Sequence, residues 1–167
     1  QKRSALTLDE QAAFLAAAKS SVHFLLYRFL LSTGLRIGEA LAITHEDLKN
    51  GKVSVSKDIV FIEGKEIVQP PKSKAAFRSV PVPGDIYEEM QKAKTERIFP
   101  CTYTAINMAL KKLSKKLGFT VSAHILRHTY ATRLEEAGIS PKIKQYLLGH
   151  ATVDITQNVY TDAQSDY

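Results

Sequence analysis

The sequence predicts an α+β domain that is mostly α-helical and carries a small antiparallel β-sheet of about three strands. Two patterns predict it. Apolar residues recur at helical spacing up to Leu41 and again from Thr104 onward, whereas between Lys52 and Val82 they alternate. A third observation concerns domain count: 167 residues with 44% hydrophobic content suffice for one core, and no repeat or linker divides them. Residues 1–167 are therefore expected to form a single domain.

Thr7-Leu8-Asp9-Glu10 has the Ser/Thr-x-x-Glu form in which hydroxyl and carboxylate each satisfy an orphan amide, so a helix should start there and run through Lys19. Val22 to Leu31 is apolar nearly all round. Too short to span a membrane, it reads as a helix buried in the core that ends at Ser32-Thr33-Gly34. Arg36 to Leu41 then begins a short helix, which delivers Arg36 from the end of a rigid element, with Glu39 one turn later. In the alternating region Val53 and Val55, Ile59 and Phe61, Ile67-Val68 and Phe77 to Val82 mark strands, with a turn at Glu63-Gly64. Pro70-Pro71 should interrupt the second strand and leave Lys72 to Ala76 at the tip of the last hairpin.

Gly84 to Ala93 reads as a helix. Thr104 to Leu117 is better marked, with Ile106, Leu110, Leu113 and Leu117 on one stripe and Gly118 as its stop. Lys111, Lys112, Lys115 and Lys116 decorate this helix, as a solvated face or as contacts to a phosphate backbone. His124 to Ala137 forms the next helix, closed by Gly138. Ser140-Pro141 opens another, with Ile143, Tyr146 and Leu147 turned inward. That helix breaks at Gly149-His150, and Thr152 can cap a last short helix reaching Tyr160.

Lys and Arg number 23 against 17 Asp and Glu, giving a net charge of +6 and a pI near 9.4, which favours a polyanionic partner. The single cysteine, Cys101, excludes an intrachain disulfide and fits a reducing compartment as a small buried hydrophobe. No run of about eighteen apolar residues exists, and the start lacks the apolar core of a signal peptide. A cytoplasmic protein without membrane contact is expected. Beginning at Gln1, the chain reads as a piece of something longer, with any missing part mainly upstream.

The chemistry concentrates between His124 and Tyr160. His124 and Arg127 lie three apart near the start of one helix, so they share a face, and the helix's positive end adds to any anion site. His150 follows another helix immediately, and Tyr160 comes near the end of the chain. A pair of arginines offers two planar forks for the non-bridging oxygens of a phosphate and for the charge that builds on them in a pentavalent transition state. Arg36 is the obvious second arginine.

The set Arg36 within Thr33-Gly34-Leu35-Arg36-Ile37-Gly38-Glu39-Ala40, Lys72, His124-x-x-Arg127, Leu148-Gly149-His150 and Tyr160 closely resembles the catalytic domain of tyrosine recombinases, the integrases of phages and conjugative transposons. The resemblance runs from about Thr7 to Tyr160, in the family's order. It implies a site-specific recombinase that cleaves and rejoins double-stranded DNA without metal or other cofactor. Tyr160 would be the nucleophile that forms a 3′-phosphotyrosyl link, and Arg36 and Arg127 would clamp the phosphate. His124 would assist proton removal or hold the phosphate, His150 would donate a hydrogen bond to it, and Lys72 would protonate the departing 5′-oxygen. Glu39 matches the family's acidic position and would orient the arginine or a histidine. Lys72 is preferred as the acid because Lys72-x-Lys74-x-x-x-Arg78 ahead of Val80-Pro81 fits the integrase pattern with its first lysine catalytic, although Lys74 shares the same tip. Lys74, with the four lysines from Lys111 to Lys116, is otherwise a candidate for DNA phosphate contacts.

The resemblance also implies a homotetramer on DNA for a full-length protein and a monomer for this chain, which has no counterpart of the family's N-terminal DNA-binding domain. Only seven residues follow Tyr160, a shorter tail than many relatives use to dock on a neighbour. Two other readings stay open: a type IB topoisomerase-like enzyme that nicks and reseals one strand, and a DNA-binding regulator with a vestigial site.

Overall fold

The structure, a computed structural model, describes residues 4–150. Among them seven helices and five strands follow in the order α1 (Leu8–Ala18), α2 (Phe24–Thr33), α3 (Ile37–Leu41), β1 (Leu48–Lys49), β2 (Lys52–Val55), β3 (Asp58–Ile62), β4 (Lys65–Gln69), β5 (Arg78–Pro81), α4 (Gly84–Gln91), α5 (Tyr103–Leu117), α6 (Ala123–Glu136) and α7 (Pro141–Leu148). The α1 start forms as its sequence dictates: Thr7 Oγ1 accepts from the Glu10 N–H at 3.0 Å while the Glu10 carboxylate accepts from the Thr7 N–H at 2.9 Å. Thr102, Ser122 and Ser140 cap α5, α6 and α7 in the same manner, each accepting an amide three residues on.

Helix α2 is the centre of the core. Its Tyr27, Phe29 and Leu30 are wholly buried, together with Phe14 of α1, Ile106 of α5 and Leu126 of α6. Each side chain of this size, once buried, stabilises the fold by roughly 1.5–3 kcal/mol. The expected start of α2 is two residues early, because Val22 is 92% exposed and outside the helix. At its other end Gly34 takes φ +68°, and a Cβ there would come within 2.2 Å of the Tyr130 ring on α6. Only glycine both ends α2 with this conformation and lets α6 approach so closely.

A three-stranded antiparallel sheet forms in the order β1-β2-β5, its β1 lying before the expected strands, with Val53 facing Val80 and Val55 facing Arg78. A separate two-stranded ribbon, β3-β4, turns at Glu63-Gly64, both with positive φ. The expectation that Lys72 to Ala76 form the tip of a hairpin is corrected. Without amide hydrogens, Pro70 and Pro71 stop β4 at Gln69, and β5 pairs with β2 rather than β4. Lys72 therefore belongs to a connection between two sheets, tightened by a 3₁₀ turn over Lys74–Ala76.

Helix α7 also differs from expectation. Leu147 packs against the core and Leu148 is buried, but Ile143 and Tyr146 are about half exposed. The helix is eight residues long and packs mainly on α6 and β5. The Tyr146 hydroxyl instead accepts the Ser79 N–H at 2.9 Å, on the β5 edge. The Thr152 cap and Tyr160 lie outside the described residues. No helix among those residues is long and apolar enough to cross a membrane.

Candidate active site

Arg36 occupies the N-cap of α3, directly after the Gly34 turn, and its side chain is half exposed. Its own N–H donates to Glu39 Oε1 at 2.9 Å, so the carboxylate one turn later fixes the backbone that carries the guanidinium. Glu39 is buried, and its main partner is Arg78, which grips it with two bonds of 2.9 and 3.0 Å. Burial alone would raise the Glu39 carboxyl; the hydrogen bonds and charge of Arg78, joined by those of Arg36, outweigh it and hold the group below its ordinary value. Arg78 is fully enclosed and donates further to Ala76 O at 2.6 Å and to Leu147 O at 2.8 Å.

Arg127, on the buried face of α6, spans the same region from behind. Its two Nη atoms donate to Gly34 O and to Leu148 O. Desolvation, followed by repulsion from Arg36, pushes its pKa down to about 10, so it stays charged at neutral pH while short of counter-charge. Gly149 then takes φ +73° to end α7, and a Cβ there would meet the Arg78 guanidinium at 2.7 Å. The tight turn is thus required by the arginine beneath it, and it brings His150 forward, its N–H donating to Gln145 O.

In front of these groups lies a cleft of about 450 Å³ lined by Arg36, Glu39, Asp58, Lys72, Ser73 and His150, among others. Asp58 opens β3, and a Cβ on Gly38 would strike its carboxylate at 2.3 Å, so glycine at that position is what allows α3 and β3 to meet. Burial and then the charge of Glu39 push the Asp58 carboxyl upward, partly offset by Arg36 and Lys72. Arg36 and Arg78 thus share the Glu39 carboxylate, and Arg127, bonded to Gly34 O and Leu148 O, adds a third guanidinium to the region. Even with Asp58 counted against Lys72, positive charge is in excess. Such an arrangement favours an anion.

The structure brings Arg36, Glu39, Lys72 and His150 to one cleft, with Arg127 immediately behind. His124 is exposed on the first turn of α6 and does not line the cleft. Lys74 is exposed and also outside its lining, as are Lys111, Lys112, Lys115 and Lys116 on the solvent side of α5. Among the described residues no three His, Cys, Asp or Glu side chains gather as metal ligands. Two participants escape a reading of the sequence. Arg78 shows there only as the end of a Lys-x-Lys-x-x-x-Arg pattern; its signal is register, since two residues before the buried Val80 it must face the same way. Asp58 carries no local signal.

The profile of the phage integrase family matches residues 4–166. The chain belongs to the phage integrase family. Relatives in this family include the transposase of transposon Tn916 from Enterococcus faecalis, 28% identical over 98% of this chain and 49% of its own length. Another is the tyrosine recombinase XerA of Saccharolobus solfataricus, 34% identical over 88% of this chain and 48% of its own. The chain spans about half the length of the curated relatives it matches. The fold is shared with a Tn1549 transposon integrase solved in complex with circular intermediate DNA, with a TM-score of 0.82 at 24% identity over 99% of this chain and 66% of that one. It is likewise shared with the catalytic domain of bacteriophage HP1 integrase, with a TM-score of 0.68 at 18% identity over 99% of this chain and 96% of that one.

Proposed function

We propose that this chain is the single catalytic domain of a site-specific DNA recombinase or integrase, which cleaves and rejoins double-stranded DNA through a 3′-phosphotyrosyl intermediate during integration or excision of a mobile element. The observation that carries this reading is the meeting of Arg36, Glu39, Lys72 and His150 in one cleft, backed by the buried guanidinium groups of Arg78 and Arg127. Membership in the phage integrase family supports it, as do the transposon and Xer relatives.

In this reaction the Tyr160 hydroxyl loses its proton, its oxygen bonds to phosphorus, and the bond to the 5′-oxygen breaks. Lys72 gives its proton to that oxygen; its place in the cleft beside Arg36 and His150, which Lys74 lacks, favours it as the acid. Arg36 and Arg127 hold the non-bridging oxygens, His150 donates to one of them, and His124 takes the tyrosine proton or steadies the phosphate. Glu39 orients Arg36. Since the phosphotyrosyl link keeps the energy of the phosphodiester, rejoining is the same path in reverse. Lys74, Lys111, Lys112, Lys115 and Lys116 contact the DNA backbone farther out. The longer protein acts as a homotetramer on DNA in the cytoplasm, and this chain alone is a monomer.

A library of nicked duplexes, in which cleavage releases a short fragment and traps the enzyme, tests the proposal. A covalent adduct should accumulate with the wild-type chain and disappear in Tyr160→Phe without loss of DNA affinity. Absence of a Tyr160-dependent adduct under saturating binding would refute the enzymatic reading, and relaxation of supercoiled plasmid without two-site exchange would point to a topoisomerase.

A further inference from the structure

We infer that Arg78 is a positioning residue that locks the three chain segments bearing Arg36, Lys72 and His150 into one unit, so that the walls of the phosphate cleft are set together before DNA arrives. The inference rests on the recombinase reading of that cleft. Arg78 has no exposed side-chain surface, so it meets no substrate, and its bonds all go inward. What distinguishes them is where they end. The two bonds to Glu39 reach the carboxylate that holds the Arg36 N–H. The bond to Ala76 O reaches the connection that carries Lys72. The bond to Leu147 O reaches the last turn of α7, three residues before His150, and Gly149 packs against the guanidinium plane. A planar fork with five donors is the one side chain that meets a carboxylate with two bonds and still serves two carbonyls.

Stability alone does not call for an ion pair here. Well-packed apolar side chains of similar volume commonly hold a buried site as well or better. Apolar side chains would not, however, fix one carboxylate and two carbonyls from three segments at hydrogen-bond distance. Placing a phosphate's oxygens demands that kind of fixation, because displacement of the clamp by a fraction of an ångström weakens it.

Arg78→Lys and the pair Glu39→Met with Arg78→Met test the inference, the second because its apolar filling keeps the fold if the first fails to. Amide exchange at Ala40, Phe77 and His150, which report the three segments, should accelerate together in Arg78→Lys, while Gln11 in α1 and Tyr87 in α4 stay unchanged. Cleavage of the nicked duplex should fall roughly 10- to 100-fold, the range seen when the outer support of a site is removed, with DNA affinity retained. A 5′-bridging phosphorothiolate, which needs no acid, should fail to restore that loss, although it restores Lys72→Ala. Wild-type cleavage in either variant, or independent exchange at the three segments, would overturn the assignment. Should the wild-type chain form no adduct at all, the recombinase reading falls, and the exchange measurement still decides whether Arg78 couples the segments.

Discussion

The two walls of the cleft are built on opposite terms. On the inner wall Glu39, Arg78 and Arg127 are buried; Glu39 and Arg78 bond each other, and their remaining bonds, like those of Arg127, run to the backbone. On the outer wall Lys72 is exposed on a connection between two sheets, and Asp58 is half-buried at the start of a ribbon whose Phe61, Ile62 and Val68 are themselves exposed. A buried charge costs several kcal/mol unless paired, so the inner wall depends on the bonds that Arg78 makes to Glu39 and that both arginines make to backbone carbonyls. An exposed lysine costs little to keep, and it can give and regain a proton from solvent. The groups proposed to hold a phosphate are thus anchored from behind, whereas the group proposed to move a proton stands in water.

The sharpest way to break this contrast is to change one residue on each side. Lys72→Ala should lower cleavage by roughly 10²–10⁴-fold, the usual contribution of a general acid, and leave the melting temperature unchanged. A lower melting temperature would mean that the outer wall is structural after all. Arg127→Ala should lower cleavage by about 10²–10³-fold, as loss of one transition-state donor does. It should also destabilise the fold, because Gly34 O and Leu148 O each lose a donor at a cost of about 1–3 kcal/mol. Single-turnover cleavage together with urea melts separates the two. If Arg127→Ala melted like the wild type, the inner wall would not be the brace described.

Legibility in the sequence followed the same division. Arg36 and the Leu148-Gly149-His150 turn were readable because glycines that end helices leave strong local marks. The antiparallel sheet was readable from its alternation, but its split into two was not. Pro70-Pro71 shows where a strand must stop, and nothing local shows that Arg78–Pro81 then chooses β2 as its partner. Ile143 and Tyr146 fall on the apolar stripe of α7, yet a stripe cannot say how deeply each of its residues is buried among the described residues. The Arg78 bonds to Glu39 and Leu147 join residues 39 and 69 positions apart, so pairing of this kind becomes visible only after folding.

Acid stability gives a smaller effect with opposite signs on the two walls. Glu39 is held below its ordinary 4.5, so its contribution is complete above that value and is lost as pH falls through the folded value. Asp58 is raised above its ordinary 3.8, so folding favours its protonated form, and that contribution is lost as pH rises through the folded value. Melts between pH 3 and pH 6 should therefore show stability falling toward acid in the wild type and a flatter profile in Glu39→Gln. Equal slopes would mean that Glu39 keeps its proton affinity on folding.

The smallest expected effect is the most specific to the outer wall. Asp58 places a carboxylate in the cleft proposed to receive phosphate, near enough to Arg36 and Lys72 for their charges to act on it. When DNA enters, that carboxylate repels the phosphate and competes for the same cations. Removing its charge should strengthen binding. Asp58→Asn keeps the shape against Gly38 and should raise affinity for a short duplex at neutral pH by up to about fivefold, the upper end of the ~1 kcal/mol that a partly exposed charge pair contributes. The gain should shrink as salt screens the charge, and it should vanish at acid pH, where the wild-type carboxyl is already neutral. Anisotropy titrations at two pH values and two salt concentrations measure both dependences. An affinity unchanged at neutral pH and low salt would show that Asp58 exerts no repulsion on the bound phosphate, and the outer wall would then be electrostatically open to DNA as it stands.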